Sequence, residues 1–299
     1  MSRKATRAEF PVSGAKLPNL AHTIYGVKHA CMHHRQYTNQ INPVHTDPIM
    51  TGDRALIVAI SGCSSSGKTT LARLLRDIFP NTFILHEDDF YRPEAELPTR
   101  DGLLDWDCPE AIDIPGMADS LAYIRQHASF PPTLESKEDQ NSVGKCPVSE
   151  STIAAQQAKV ESALGPNHAL RSNLRLCLLD GFLLYSPSMA AIQPSLDIKL
   201  FLRTTYAKAK ARREARDGYV TLEGFWADPP GYVDKIVWPN YVEQHAWMFE
   251  GGDVEGAFKM DVLEKEGVKV QDKAGVDGDI EKTFEWTVDT ILDELKRQI

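Results

Sequence analysis

Residues 55–60 (ALIVAI) form an unbroken apolar run. A strand covered on both faces reads this way, whereas a half-exposed strand alternates. Residues 71–79 then set apolar and charged side chains at helical spacing, and 82–85 make a short second strand. Residues 174–179 (LRLCLL) and 198–202 (IKLFL) supply a third and a fourth buried strand. A strongly charged helix is predicted over 206–217, with Gly218 placed to end it, and an amphipathic helix over 284–295 closes the pattern. Strands alternating with helices predict an α/β fold: a doubly wound, mainly parallel sheet with helices on both faces.

Three stretches stand outside this order. Residues 131–147 are rich in Pro, Ser, Lys and Glu and read as a polar surface insertion. Residues 251–278 are rich in Gly, Asp and Lys and read as a loop or hairpin. Residues 1–50 show no sustained period and are expected to be a disordered tail outside the core. A basic transit peptide, or sequence upstream of a start at Met50, also fits them. The folded body is expected over 51–299, and no internal repeat is seen.

Composition narrows the choice. The chain has 299 residues, 42% hydrophobic and 25% charged, which is ordinary for a globular protein. Lys and Arg number 33 against 42 Asp and Glu, a net charge of −9. That argues against nucleic acid as a partner over the whole surface. The first fifty residues carry six Lys/Arg and two acids, so the rest of the chain carries −13. No apolar run approaches the roughly 20 residues of a membrane span. The five cysteines are dispersed and never in C-x-x-C spacing, which fits a reducing, cytoplasmic setting and no disulfide framework. His29, Cys31, His33 and His34 lack a familiar metal-ligand spacing and read as solvated side chains.

The sharpest chemical signal is Gly62-Cys63-Ser64-Ser65-Ser66-Gly67-Lys68-Thr69, which fits G-x-x-x-x-G-K-[ST] directly after the first strand. The glycines let successive N–H groups converge on phosphate oxygens, and the following helix adds its positive end. Gly62, Ser64, Ser65, Ser66, Gly67, Lys68, Thr69 and Thr70 are therefore expected to hold ATP. Lys68 faces the β- and γ-phosphates, and the Thr69 hydroxyl faces Mg²⁺. The fold class sharpens to the P-loop NTPase type with a small arginine-bearing lid.

A P-loop does not name a reaction. His86-Glu87-Asp88-Asp89 lies at the carboxyl end of the second strand, where open α/β sheets bind ligands. A carboxylate there can take a proton from a substrate hydroxyl; a solvated turn or a helix cap is the plainer reading. Asp180 ends the strand LRLCLL and is placed to hold Mg²⁺ directly or through water. Arg212, Arg213 and Arg216 sit together, with Arg212 and Arg216 expected on one helix face, either serving phosphates or pairing with Glu214 and Asp217. Trp106-Asp107 offers an indole face followed by a carboxylate, which suits a flat base on a ribose. The plainer reading is a core tryptophan and a cap for a helix near Pro109. A GTP-binding switch would carry an N-K-x-D run, and none is present.

Several separated segments match one pattern: ISGCSSSGKTTLARLL (60–75), HEDDFYRP (86–93), GLLDWDCPEAI (102–112), LCLLDGFLLY (176–185), the arginine helix and PPGYVDKIVWPNYV (229–242). In these the sequence resembles the nicotinamide riboside kinases, small P-loop enzymes related to uridine kinase. The resemblance spans about 55–295 and leaves 1–50, 131–147 and 251–278 without a counterpart. It implies phosphorylation of the 5′-hydroxyl of nicotinamide riboside with ATP and Mg²⁺, feeding NAD synthesis. A monomer or weak homodimer is expected. It implies Asp88 as general base close to the metal, with Asp89, Phe90 and Tyr91 lining the riboside pocket. Trp106, where the family has an aromatic that is often Tyr, would stack on the pyridine ring, and Asp107 would bind the ribose. Arg213 would stand on the substrate side, Arg212 and Arg216 on ATP, and Tyr219 close to both. Asp180 occupies a position that is often Glu. A uridine or cytidine kinase, or a catalytically silent nucleotide-binding regulator, is the alternative.

Overall fold

The computed structural model describes residues 54–136, 144–216, 218–221, 224–271 and 277–298. The expectations for residues 1–50 and for the middle of the 131–147 insertion lie outside them. The flanks of that insertion, 131–136 and 144–147, are half-buried or exposed.

In chain order the elements are β1 (Arg54–Gly62), α1 (Lys68–Ile78), β2 (Thr82–His86), β3 (Thr99–Arg100), β4 (Leu103–Leu104), α2 (Ile114–His127), α3 (Glu150–Leu164), β5 (Leu174–Gly181), β6 (Ile198–Leu202), α4 (Tyr206–Glu214), β7 (Tyr219–Thr221), β8 (Gly224–Trp226), α5 (Trp238–His245), α6 (Met260–Glu266), β9 (Val268–Val270) and α7 (Ile280–Gln298). Five strands make one sheet in the order β2-β5-β1-β6-β9, and every pairing is parallel. β3 with β4 and β7 with β8 form two small antiparallel ribbons.

The unbroken apolar runs have the cause inferred from the sequence. Ala55, Ile57 and Ala59 of β1 face one core, which also takes Met117, Leu121 and Ile124 of α2. Leu56, Val58 and Ile60 face the other, with Leu71 and Leu75 of α1 and Phe284, Val288 and Ile291 of α7. Alternate residues of one strand thus feed two cores, and helices cover both faces. The chain is a doubly wound α/β protein of the P-loop type.

Two expectations are corrected here. The 251–278 stretch contains α6 and the fifth sheet strand, β9, which pairs with β6 through Lys199, Leu200 and Phe201. β9 is Val-Lys-Val, too short for a period, and α6 buries only Leu263. The charged helix also ends sooner than expected, at Glu214, and Asp217 lies outside the described residues. A third small core of Leu97, Trp106, Ala111, Tyr232, Val233 and Ile236 sits beneath the β7–β8 ribbon.

His245 shows what burial does to a titrating group here. It is fully buried, and its Nδ1 donates to the Tyr241 carbonyl at 2.9 Å. Burial pushes its pKa from 6.5 down to about 4. The unfolded chain therefore binds a proton between those values that the folded chain refuses. This contribution to stability is full above pH 6.5 and is lost as the pH falls toward 4. The drop in Tm between pH 7 and pH 5 is expected to be smaller in His245→Gln than in wild type. Equal drops in a pair of melting curves would contradict this.

Candidate active site

β1 runs straight into the phosphate loop because Gly62 lets two backbones nearly touch. Its φ is +147°, and a Cβ there would sit 1.9 Å from the Leu202 carbonyl oxygen of β6. The loop returns into α1, whose first residues are Lys68, Thr69 and Thr70, with Gly67 at the N-cap. Helix N-termini leave N–H groups without intrahelical partners, so this end of α1 presents donors and a positive dipole end.

Beside the loop opens a cleft of about 930 Å³. Ser64, Ser65, Gly67, Lys68, Thr69 and Thr70 line it from the loop, and Asp88, Tyr91, Trp106, Asp107 and Asp180 line it from the strand ends. Arg213, Arg216 and Tyr219 close it from the lid side. Fourteen of the nineteen residues expected at the site therefore share one space. Two that do not are Ser66 and Arg212, which line a second cleft of about 520 Å³ together with Arg203, Phe258 and Gln271. Arg212 also donates to the Ser65 carbonyl oxygen at 3.2 Å. The expectation that Arg212 and Arg216 share a helix face is corrected, because α4 stops before Arg216. Gly62 abuts Leu202, Phe90 is buried in the core, and Asp89 is half-buried; none of the three lines either cleft.

Lys68 Nζ donates to the Cys63 carbonyl at 3.0 Å, so the ammonium curls back over its own loop. Thr69 Oγ1 donates to Asp180 Oδ2 at 2.5 Å, and His86 Nδ1 stands 3.4 Å from the same oxygen. Burial alone would raise the Asp180 carboxyl. Hydrogen bonds from His86 and Thr69 and the Lys68 charge outweigh it and hold the group below the usual carboxylate range. Asp88 stands exposed on the 3₁₀ turn Glu87–Phe90.

The preceding residue, Glu87, is fully buried beneath the cleft. Its Oε2 accepts from the Phe182 and Leu183 N–H groups at 2.5 and 3.1 Å. Burial raises its pKa to about 8. Gly181 is required beside it, because a Cβ there would lie 2.4 Å from Glu87 Oε2.

Arg213 ties the cleft together. Its guanidinium is buried and gives two hydrogen bonds to Asp107 (3.0 and 3.2 Å), two to Asp228 (2.6 and 3.2 Å) and one to Ser64 Oγ (2.8 Å). Burial works against its charge, but the Asp107 and Asp228 carboxylates keep it firmly protonated. The Tyr219 ring lies 5.0 Å from the Arg213 guanidinium and 5.1 Å from that of Arg216. Asp107 caps no helix: the 3₁₀ turn Pro109–Ala111 starts from Cys108 without a side-chain cap.

Trp106 is both core and cleft. It is buried, edge-on to Tyr91 at 5.1 Å, and 5.5 Å from Trp226, while facing the ligand space. Sequence reasoning missed Phe182, Trp226 and Asp228. Trp226 Nε1 donates to Asp228 Oδ1 at 3.0 Å, so the end of the β7–β8 ribbon is bonded to the acid that holds Arg213.

No family model matches the chain. The nicotinamide riboside kinase of Schizosaccharomyces pombe is 35% identical to it over 243 residues, 81% of this chain and 99% of the yeast protein. The chain belongs to the nicotinamide riboside kinase family. The Saccharomyces cerevisiae nicotinamide riboside kinase is 33% identical over 248 residues, 81% of this chain and 98% of its own. Human nicotinamide riboside kinase 2 is 30% identical over 202 residues, 66% and 70% of the two chains. A member of the nicotinamide riboside kinase family is a phosphotransferase with an alcohol acceptor, and ATP is the phosphoryl donor. Among the described residues, no helix of this kinase is long and apolar enough to cross a membrane.

Proposed function

We propose that the protein transfers the γ-phosphoryl group of ATP to the 5′-hydroxyl of nicotinamide riboside, giving nicotinamide mononucleotide for NAD biosynthesis. One observation carries the reading: Lys68, Asp88, Trp106 and Asp107 line a single cleft at the phosphate loop. A base, a ribose and a terminal phosphate can therefore be met in one space.

The nicotinamide ring of the riboside is a cation. The Trp106 indole, beside Tyr91, offers it a π face, worth roughly 0.5–2 kcal/mol beyond the contact area. Asp107, held by Arg213, accepts hydrogen bonds from the vicinal ribose hydroxyls. Asp88 takes the 5′-hydroxyl proton as that oxygen bonds to the γ-phosphorus and the bond from phosphorus to the β–γ bridging oxygen breaks, releasing ADP. Lys68 and Arg216 neutralise charge gathering on the phosphate oxygens. The purine ribose side of ATP runs over the loop into the second cleft, past Ser66 and Arg212. Asp89 and Phe90 act behind Asp88 and Tyr91 rather than on the ligand.

A magnesium ion fits the donors on the cleft wall. The Thr69 hydroxyl and the Asp180 carboxylate are hard oxygen ligands in contact with each other, and Asp88 lines the same space. When bound, Mg²⁺ would supply charge neutralisation at the β- and γ-phosphate oxygens. The dispersed cysteines favour a reducing, cytoplasmic setting.

Turnover of nicotinamide riboside, uridine and cytidine by the purified enzyme with ATP tests the reading. The kcat/KM for nicotinamide riboside is expected to exceed those of the pyrimidine nucleosides by about tenfold or more, since about 1.4 kcal/mol of stacking on a cation suffices. A preference for uridine would overturn the substrate assignment.

A further inference from the structure

The segment PPGYVDKIVWPNYV stands apart from the phosphate chemistry, yet it reaches the substrate loop. Trp106 and Asp107 are neighbours in an irregular stretch after β4, and both face the cleft. Adjacent side chains on an extended backbone diverge, so aiming both at one ligand requires the loop to be held. The N–H groups of residues 105–107 are tied. Asp105 N donates to the Pro98 carbonyl at 2.9 Å, Trp106 N to Tyr232 Oη at 3.0 Å, and Asp107 N to Asp105 Oδ1 at 3.0 Å.

Asp105 is in turn held by Asn240, whose Nδ2 lies 2.8 Å from Oδ1 and 2.9 Å from Oδ2. Asn240 Oδ1 accepts from Arg100 at 3.0 Å, and Arg100 forks onto Glu243. The amide has only one chemically sensible orientation, because a carboxylate only accepts and a guanidinium only donates. Asp105 and Asn240 are 4% and 3% exposed, and neither lines the cleft.

Tyr232 and Asn240 come from one helical stretch, eight positions apart. On a regular α-helix eight residues overshoot the starting face by about 80°. Residues Val233–Val237 instead form a π-helical turn, whose wider winding takes up that excess. Both side chains thus meet the same loop.

We propose that Asp105 and Asn240 are a positioning pair that, with Tyr232, sets the aim of Trp106 and Asp107 and so the affinity for the riboside. The proposal rests on the riboside kinase reading for its ligand, but its geometry does not. The pair acts through the loop and touches no substrate.

The experiment compares full-length wild type, Asn240→Asp, the Asp105→Asn/Asn240→Asp double variant and Tyr232→Phe. It reads amide hydrogen exchange at 105–107 and steady-state KM for nicotinamide riboside and for ATP. Asn240→Asp sets two carboxylates against each other. It is expected to speed exchange at Trp106 and Asp107 and to raise the riboside KM about tenfold, leaving the ATP KM within about twofold. In the double variant the new amide at 105 donates to the new carboxylate at 240, which still accepts from Arg100. Protection and the riboside KM are expected to return to within about threefold of wild type. Tyr232→Phe is expected to free the Trp106 amide and raise the riboside KM by about threefold or more, and it decides the matter if Asn240→Asp does not fold.

Unchanged exchange and riboside KM in the single variants, a parallel rise in both KM values, or no recovery on the swap would overturn the pair. Wild-type turnover of the riboside reports separately on the functional reading, because the exchange comparison needs no substrate.

Discussion

Asp88→Ala is expected to lower kcat by about two to four orders of magnitude, the usual contribution of a positioned general base. The carboxylate stands exposed at the end of β2, on the wall of the cleft that Lys68 and Thr69 enter from the phosphate loop. The side chain is exposed, so folding is expected to survive its removal. ATP is held by the loop, the α1 N-terminus and Lys68, and its Kd is expected to stay within about threefold, Asp88 being at most one Mg²⁺ contact among several. Stopped-time assays of product beside calorimetric titration of ATP separate the two effects. Near-normal kcat in the variant would remove Asp88 from the chemistry.

Arg213→Leu is expected to damage both stability and substrate binding. The guanidinium lies between Asp107 and Asp228 with four hydrogen bonds to their carboxylates, and Ser64 takes a fifth. A buried ion pair adds little over an apolar replacement of the whole group, but deleting one partner leaves the other charge uncompensated, at about 3–5 kcal/mol. Here two acids are stranded together. At roughly 2–4 °C per kcal/mol for a domain of this size, Tm is expected to fall by about 6–20 °C. The riboside KM is expected to rise more than the ATP KM, because Asp107 loses its orientation. Arg213→Lys keeps charge but not the planar fork and is expected to fall between the two. A melting temperature within about 2 °C of wild type for Arg213→Leu would contradict this role for Arg213.

The elements most legible in the sequence were those whose burial leaves a pattern. β1, β5 and β6 are covered on both faces and read as apolar runs, and the phosphate loop is a local motif in a local context. β9 left no such trace. It is three residues long, and its central residue, Lys269, stands opposite Leu200 and is ion-paired to Glu294. α3 buries only Gln156, Val160 and Leu164, so its amphipathic stripe is too thin to read.

The same division runs through the site. Lys68, Thr69, Asp88, Trp106, Asp107, Asp180 and Arg213 come from short motifs, and they meet in one cleft. Trp226 and Asp228 were not read. Their place depends on bonds to Arg213 and to each other, formed when the ribbon folds back, and no spacing in the local sequence encodes them. Arg212 and Arg216 were paired by helical spacing, but α4 ends between them and they turn to different clefts.

The most direct test is a crystal structure of the enzyme with nicotinamide riboside, Mg²⁺ and a non-hydrolysable ATP analogue. The 5′-oxygen is expected about 3 Å from the Asp88 carboxylate and in line with the γ-phosphorus, with the pyridinium ring against Trp106 and the vicinal hydroxyls on Asp107. A riboside whose 5′-oxygen points away from Asp88, or whose ring lies in the second cleft beside Phe258, would contradict the account.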